Sequence, residues 1–209
     1  MKHFSLRKHT DKTILYEGEY GSLKHCLEDA IKRNIDLSHI NLRNQNLSNA
    51  NIDGANMHDA DFSGSNLSGA NLSEALLHNS NFRETSLYNC CMSHSDLREC
   101  DFSGAGFGGT LIDYADLGGS RFSTLSCFDL DFVYCKSLEE CKFIDPGNKH
   151  YEMSGAPIVI KNMLNTPIII FDKTVKIGEK TIKRSAMPKL LSVLSSYGYQ
   201  QIQGVTKAA

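Results

Sequence analysis

The sequence predicts an all-β solenoid, and three observations over residues 35–145 predict it. Every fifth residue from Leu37 is apolar: Leu37, Leu42, Leu47, Ile52, Met57, Phe62 and onward in phase to Phe122, 18 positions of 18 in a chain that is only 41% apolar. The residue two before each is mostly small, as at Ala50, Ala60, Ser65, Ala70, Cys90, Cys100 and Ser120. Asn or Asp sits between them, as in Ala50-Asn51-Ile52 and Ala60-Asp61-Phe62. A period of five fits neither a helix at 3.6 nor a strand at 2. It is satisfied when five residues make one side of a square and four sides make a coil, the arithmetic of a short-period repeat solenoid.

The square has a consequence for packing. Residues 20 apart stack, so Leu42, Phe62, Phe82, Phe102 and Phe122 form one inward series, and Ile52, Leu72, Met92, Ile112 and Phe132 form the opposite one. With coils ~4.8 Å apart, about five coils make a rod roughly 25 Å long. Each inward side chain contributes ~1.5–3 kcal/mol before entropy is subtracted, enough for a filled, dry lumen.

These residues resemble the pentapeptide-repeat family, whose pattern is A-(D/N)-L-x-x. The resemblance implies a right-handed quadrilateral β-helix with the Leu/Phe and small positions inward. It also implies function, because some pentapeptide-repeat proteins bind DNA gyrase or topoisomerase as mimics of DNA. Gyrase-protecting relatives carry loops projecting from the coil, whereas here the phase is unbroken from Leu37 to Phe122.

The flanking segments follow in order. Residues 1–12 are polar and charged and read as a loose lead-in. Thr13–Gly18 reads as a short strand, and Ser22 as the N-cap of a helix to about Asn34, with Leu23, Cys26, Leu27, Ala30 and Ile31 on one face. That face needs cover, and the open end of the solenoid supplies it, so residues 1–34 are expected to be an N-terminal strand-helix cap. Beyond Phe122 the repeat weakens at Cys127, keeps phase at Phe132, and slips by one so that Leu138 and Phe143 continue it. Asp145-Pro146-Gly147-Asn148 ends it. Residues 146–209 are expected to be a C-terminal cap, with strands at Pro157–Lys161, Pro167–Phe171 and Val175–Ile177 and a helix from about Met187 to Tyr197 stopped by Gly198.

Composition narrows the chemistry. Charged residues at the N-terminus lead into no apolar run, so no secretory signal is read, and no stretch is long enough for a membrane helix. Seven cysteines without paired spacing read as reduced thiols, and the expected location is the cytoplasm. Cys90, Cys100, Cys135 and Cys141 fall in the small inward slot, Cys127 in the larger one, and only Cys91 points out. His58 and His78, 20 apart, should stack on an outer face beside the row His39, Asp59, Asn79 and Glu99. On a flat wall that patch is read as solvated surface, and no metal or cofactor is expected. Gly104, Gly106, Gly108 and Gly109 do not join a strand to a helix, so they are read as corners rather than a phosphate loop. No nucleophile-base pair appears, and the chain is expected not to be an enzyme.

Charge is the sharper signal. Residues 1–34 carry +2, residues 35–145 carry −10 and residues 146–209 carry +6. The side following the Leu37 series carries Asp36, Asp59, Asp96, Glu99 and Asp116 against Arg98, and the adjoining side of the Ile52 series carries Asp53, Glu74, Asp113 and Asp131 with no base. Eight net negative charges thus lie along one edge, against about 15 for duplex DNA of the same length at one per ~1.7 Å. The Leu47 side is nearly neutral, with Asn46, Asn49, Asn66, Tyr88 and Asn89 outward. The expected function is a protein-interaction module whose acidic edge imitates DNA toward a DNA-processing enzyme. The alternative is a scaffold or homodimerisation module using the neutral side or the C-terminal segment. Direct nucleic-acid binding is disfavoured, although Lys173, Lys176, Lys180, Lys183, Arg184 and Lys189 make the tail basic.

Overall fold

A computed structural model describes residues 1–153, 155–160, 168–177, 179–186 and 188. The chain forms two compact units, Met1–Ala156 and Pro157–Ala209.

The first unit begins with a hairpin. Strand β1 (Lys2–Arg7) pairs antiparallel with β2 (Ile14–Tyr20), so the lead-in expected at residues 1–12 is instead ordered structure. Its signal is the alternation of Phe4 and Leu6 with polar neighbours, Leu6 being buried. Helix α1 (Leu23–Lys32) follows, capped by the Ser22 hydroxyl accepting from the His25 N–H, and buries Cys26, Leu27 and Ala30. The helix is tied to the hairpin through Asp29, whose carboxylate accepts from the hydroxyls of Tyr16 (2.5 Å) and Tyr20 (2.6 Å) and from Arg33 (2.8 Å). These donors hold the Asp29 carboxyl well below the usual range, and the Tyr20 phenol is pushed up by its bonds to Asp29 and Tyr16. The Arg7 carbonyl and the His9 N–H bond to Asn41 and His39, joining this segment to the first coil.

From Leu37 the backbone repeats every 20 residues. Parallel bridges join Asn41 to Asp61, Asn46 to Asn66, Asn51 to Asn71 and Asn56 to Leu76, and then each partner to the residue 20 further on. Four such columns per 20 residues are the four five-residue sides. All 18 apolar positions of the period are at most 4% exposed, so each points inward. The small positions from Ala50 to Ser120 are buried too, except the half-buried Ala105. Phe62, Phe82, Phe102 and Phe122 stack with centroids 4.9 Å apart and rings within 10° of parallel, and Phe143 follows at 5.5 Å.

Buried hydroxyls sit in the small slot without penalty because they have partners. Ser80, Thr85, Thr110 and Ser120 each donate to the carbonyl 23 residues earlier, at 3.2, 3.0, 2.6 and 2.6 Å. Ser80 and Ser120 also accept the backbone N–H of Ala60 and Cys100. A hydroxyl satisfied on both sides costs little to bury.

Every side from Leu37 to Leu117 ends on a left-handed corner two residues after its apolar position. Asn44, Asn49, Asn79 and Asn89 hold this conformation at φ 54–61°, and Gly54, Gly64 and Gly119 at φ 62–73°. Asn and Gly tolerate that region best. Gly104 and Gly109 are such corners, but Gly106 and Gly108 are not. There, a Cβ would meet the Tyr88 ring, so these two glycines make room for a tyrosine rather than a turn.

Strands β3 (Asp101–Phe102), β4 (Arg121–Ser123) and β5 (Cys141–Ile144) run parallel, and β6 (His150–Met153) closes the sheet antiparallel. Phe122 pairs with Phe143 and Asp116 with Ser137, an offset of 21 that confirms the one-residue slip. The extra residue enters after the 3₁₀ turn at Thr124–Phe128, between Cys135 and Leu138: the Lys136 N–H still meets the Ala115 carbonyl 21 residues back as in earlier coils, and Ser137 is the first residue bridged at the longer offset. The side chain of Cys127 lies outside the described residues.

The second unit is a four-stranded antiparallel sheet of β7 (Ile158–Ile160), β8 (Ile168–Ile170), β9 (Thr174–Ile177) and β10 (Lys180–Lys183), in the order β10-β9-β8-β7. The three strands read from the sequence are present, and β10 is additional. The helix expected from Met187 to Tyr197 and its stop at Gly198 lie outside the described residues, as does Lys189. No helix among the described residues is long and apolar enough to cross a membrane.

Candidate interaction surface

The outward residues fall into three columns per side: one before, one after and two after the inward residue. The column before it is occupied by Asn or Asp for a local reason. Asn41, Asn46, Asn66, Asn71 and Asn81 each accept the backbone N–H two residues on, at 3.0–3.3 Å. Asp36, Asp96, Asp116 and Asp131 make the same bond at 3.0–3.3 Å. Four of the nine edge acids therefore occupy a turn position that Asn fills elsewhere.

The other five have no such duty. Asp53 and Asp113 stand one after the inward residue, while Asp59, Glu74 and Glu99 stand on left-handed corners at φ 58, 56 and 57°. Glu74 and Glu99 there lack the conformational ease of Gly, Asn or Asp.

Partners divide the edge further. Asp96 pairs with Arg98 at 2.6 Å, Asp116 with Lys136 at 3.0 Å, and Asp59 with His58 at 2.7 Å. Asp36, Asp53, Glu74, Glu99, Asp113 and Asp131 form no ion pair with a described residue. The hydrogen bonds and charge of Arg98 hold the Asp96 carboxyl below its usual range against burial. Burial raises Asp59, but bonds from His58 and Asn79 outweigh it and the net shift is downward.

On the Leu37 side the wall is not flat. An open groove of about 550 Å³ is lined by His78, Arg98, Glu99, Asp116, Glu139 and Glu140, with Gly118 and Gly119 at its floor. Two consecutive glycines leave the space that side chains fill on neighbouring coils. The count of acids by side left out Lys136, Glu139 and Glu140, which the last coil adds to this side.

The Ile52 side carries exposed apolar groups among its acids. Leu111, Tyr114, Val133 and Tyr134 are 52–66% exposed, the Tyr114 N–H donates to the Tyr134 carbonyl, and His94 stacks on Tyr114 at 5.0 Å. Nothing in the five-residue phase marked these outward positions as apolar. On the Leu47 side Asn46, Asn49, Asn66 and Asn89 are exposed and Tyr88 is half exposed over Gly106 and Gly108.

The family profile described as pentapeptide repeats, in eight copies, matches residues 33–64 and 65–104. Residues 33–104 belong to the pentapeptide-repeat family. The match is to a repeat family and to no catalytic family. Among solved structures, this chain is similar to Rfr23 of the cyanobacterium Cyanothece, at 21% identity over 54% of this chain and 84% of that one, TM-score 0.41. It is similar to QnrB1, a plasmid-mediated fluoroquinolone resistance protein, at 20% identity over 45% of this chain and 49% of that one, TM-score 0.25. HetL of Nostoc, a pentapeptide-repeat protein involved in heterocyst differentiation regulation, matches at 26% identity over 43% and 39%, TM-score 0.22. No curated protein matches the chain.

Proposed function

We propose that this protein is a non-enzymatic interaction module whose acidic edge occupies the DNA-binding groove of a DNA-processing enzyme, gyrase or topoisomerase being the first candidates. Its scaffold on this reading is a right-handed quadrilateral β-helix of about five coils with terminal caps, since a repeat array needs its ends covered. The observation that carries the proposal is the set of five acids with no turn role, Asp53, Asp59, Glu74, Glu99 and Asp113, held on two adjoining sides of a backbone ladder that repeats every 20 residues. Magnitude sets its scale. From Asp36 to Asp131 the edge is about 23 Å, over which duplex DNA carries about 14 charges. Six unpaired carboxylates are less than half of that. The exposed Leu111, Tyr114, Val133 and Tyr134 supply what charge alone does not, because binding energy concentrates in aromatic and apolar anchors.

The test is a DNA-supercoiling assay with purified gyrase, together with competition against duplex DNA. Wild-type protein should displace DNA and inhibit or modulate supercoiling, and reversal of Asp53, Glu74, Asp113 and Asp131 to Lys should abolish both. Binding that persists unchanged in high salt, or equal activity of the reversed variant, defeats the reading.

The scaffold alternative, a homodimer through the neutral Leu47 side or the C-terminal segment, gains a second candidate surface in the same exposed apolar group. Light scattering separates the two: a strict monomer at high concentration removes the alternative and leaves the first reading standing.

A further inference from the structure

We propose that His39, His58 and Asp59 form a binding site for one divalent first-row transition-metal ion of the zinc class. The coordinating atoms of the three lie within 4.8 Å of one another, and all three residues are half buried. Donor atoms around a tetrahedral zinc with ~2.0 Å bonds stand about 3.3 Å apart, so rotation of side chains closes the set without moving backbone. The ligands come from adjacent coils, and the His39 N–H donates to the His58 carbonyl at 2.9 Å. They are thus fixed by the ladder itself, the kind of rigid support a metal site needs.

The donor set selects the metal. Two imidazoles and one carboxylate suit zinc, cobalt or nickel, whereas magnesium and calcium take oxygen ligands. Surrounding contacts hold the rings in place. His58 stacks on His78 with centroids 4.9 Å apart and planes 7° from parallel. His9 lies 6.1 Å from the His39 ring, and its Nε2 is 2.8 Å from the Asp59 carbonyl, so it is an outer partner rather than a ligand. Water takes the fourth position. On binding, the contact between His58 Nδ1 and Asp59, 2.7 Å without metal, gives way to two metal bonds with both imidazoles neutral. The ion then clips the first coil to the second beside the hairpin that carries His9.

The test uses the full chain with any affinity tag removed and bound metal stripped by chelator. Zinc is titrated by calorimetry and cobalt by absorption. The expected result is one equivalent of zinc and a cobalt spectrum with d–d bands and no thiolate charge-transfer band. His39→Asn and His58→Ser place residue types that the same columns already accept at Asn79 and Ser38, so folding is preserved and circular dichroism checks it. Each should weaken binding by more than the ~100-fold that loss of an outer partner costs. His94→Ala, on the far corner against Tyr114, should bind as wild type. No bound equivalent, binding that survives in the folded His39→Asn/His58→Ser double variant, or a thiolate band showing that cysteine holds the ion would each overturn the proposal.

Discussion

Changing Asp36, Asp96, Asp116 and Asp131 together to Asn should remove four charges from the edge and leave the solenoid intact. Each of these carboxylates accepts a backbone N–H two residues on at 3.0–3.3 Å, a bond that Asn41, Asn46, Asn66 and Asn71 make at 3.0–3.3 Å. Exchanging a charged acceptor for a neutral one costs up to about 1 kcal/mol per site. Loss of the exposed pairs with Arg98 and Lys136 adds ~0.2–1 kcal/mol each. Against this, Asp96 and Asp116 face each other across a parallel bridge. Two like charges ~5 Å apart in a water-like dielectric repel by about 0.8 kcal/mol, and that repulsion disappears. The net expectation is a loss of about 2 kcal/mol, a fall of roughly 4–8 °C in Tm, with an unchanged circular dichroism spectrum. Changing the same four residues to Ala removes the acceptors as well and should melt distinctly lower. Thermal melts of both sets at low and high salt decide the matter. If the Asn set melts as low as the Ala set, the negative charge rather than the oxygen holds these turns, and the division of the edge into turn acids and free acids is wrong.

Three further outcomes follow from the core and the titrating groups. Phe82→Ala, between two rings 4.9 Å away, should cost about 3–5 kcal/mol in urea unfolding; a cost below ~1 kcal/mol would mean the lumen is not tightly filled. The carboxyls of Asp29, Asp96 and Asp101 are all lowered in the folded chain, Asp101 because bonds from Ser103 and Arg83 outweigh burial. Their stabilisation is therefore fully present above the unfolded carboxylate pKa of ~3.9 and lost as pH falls through the folded values, so Tm should be flat above about pH 5 and drop below pH 4. A Tm that rises between pH 5 and pH 3 contradicts this. Among the cysteines whose side chains are described, Cys91 should react first with iodoacetamide: bonds from Ser73 and Ser93 lower its thiol despite burial, while burial pushes Cys135 and Cys141 up to about 12. Peptide mapping that finds Cys135 or Cys141 modified before Cys91 would refute the ordering.

The inward half of this molecule was legible from spacing because the inward slot admits few side chains. An apolar residue every fifth position leaves one solution, and the stacked phenylalanines and the slip at Leu138 and Phe143 both follow from counting. The outward half was legible only as composition. Counting acids by side does not distinguish Asp131, which bonds the Val133 N–H, from Asp113, which stands one residue after its inward position and makes no such bond. That difference depends on position within the five, not on charge. A sequence signal for the corners existed in the Asn and Gly that recur two residues after the apolar position, but it was read only at one glycine cluster, where half the residues serve Tyr88 instead. The β1 strand was missed because a six-residue edge element of mixed polarity carries little hydrophobic weight, and its pairing with β2 is what orders it.

Position within the five also bears on what the surface is for. A hydrogen-bond acceptor before the inward residue ties down the N–H two residues on, and Asn supplies it without charge on the Leu47 side. Asp on the Leu37 side supplies it with charge, at the cost of placing Asp96 opposite Asp116. Glu74 and Glu99 go further, since they occupy left-handed corners where Gly or Asn is easier. Choices that work against local stability and repeat along one edge are the pattern expected where a surface answers to a partner rather than to the fold. The balanced Leu42 side is the contrast within the same chain: Asp61 and Asp101 have Arg43 and Arg83 within 3.6 and 3.2 Å, and only Glu84, itself on a left-handed corner, forms no ion pair with a described residue. Acids alone do not distinguish the edge from the Leu42 side; the number left without a cation does, since Glu84 stands there against Asp36, Asp53, Glu74, Glu99, Asp113 and Asp131 on the edge.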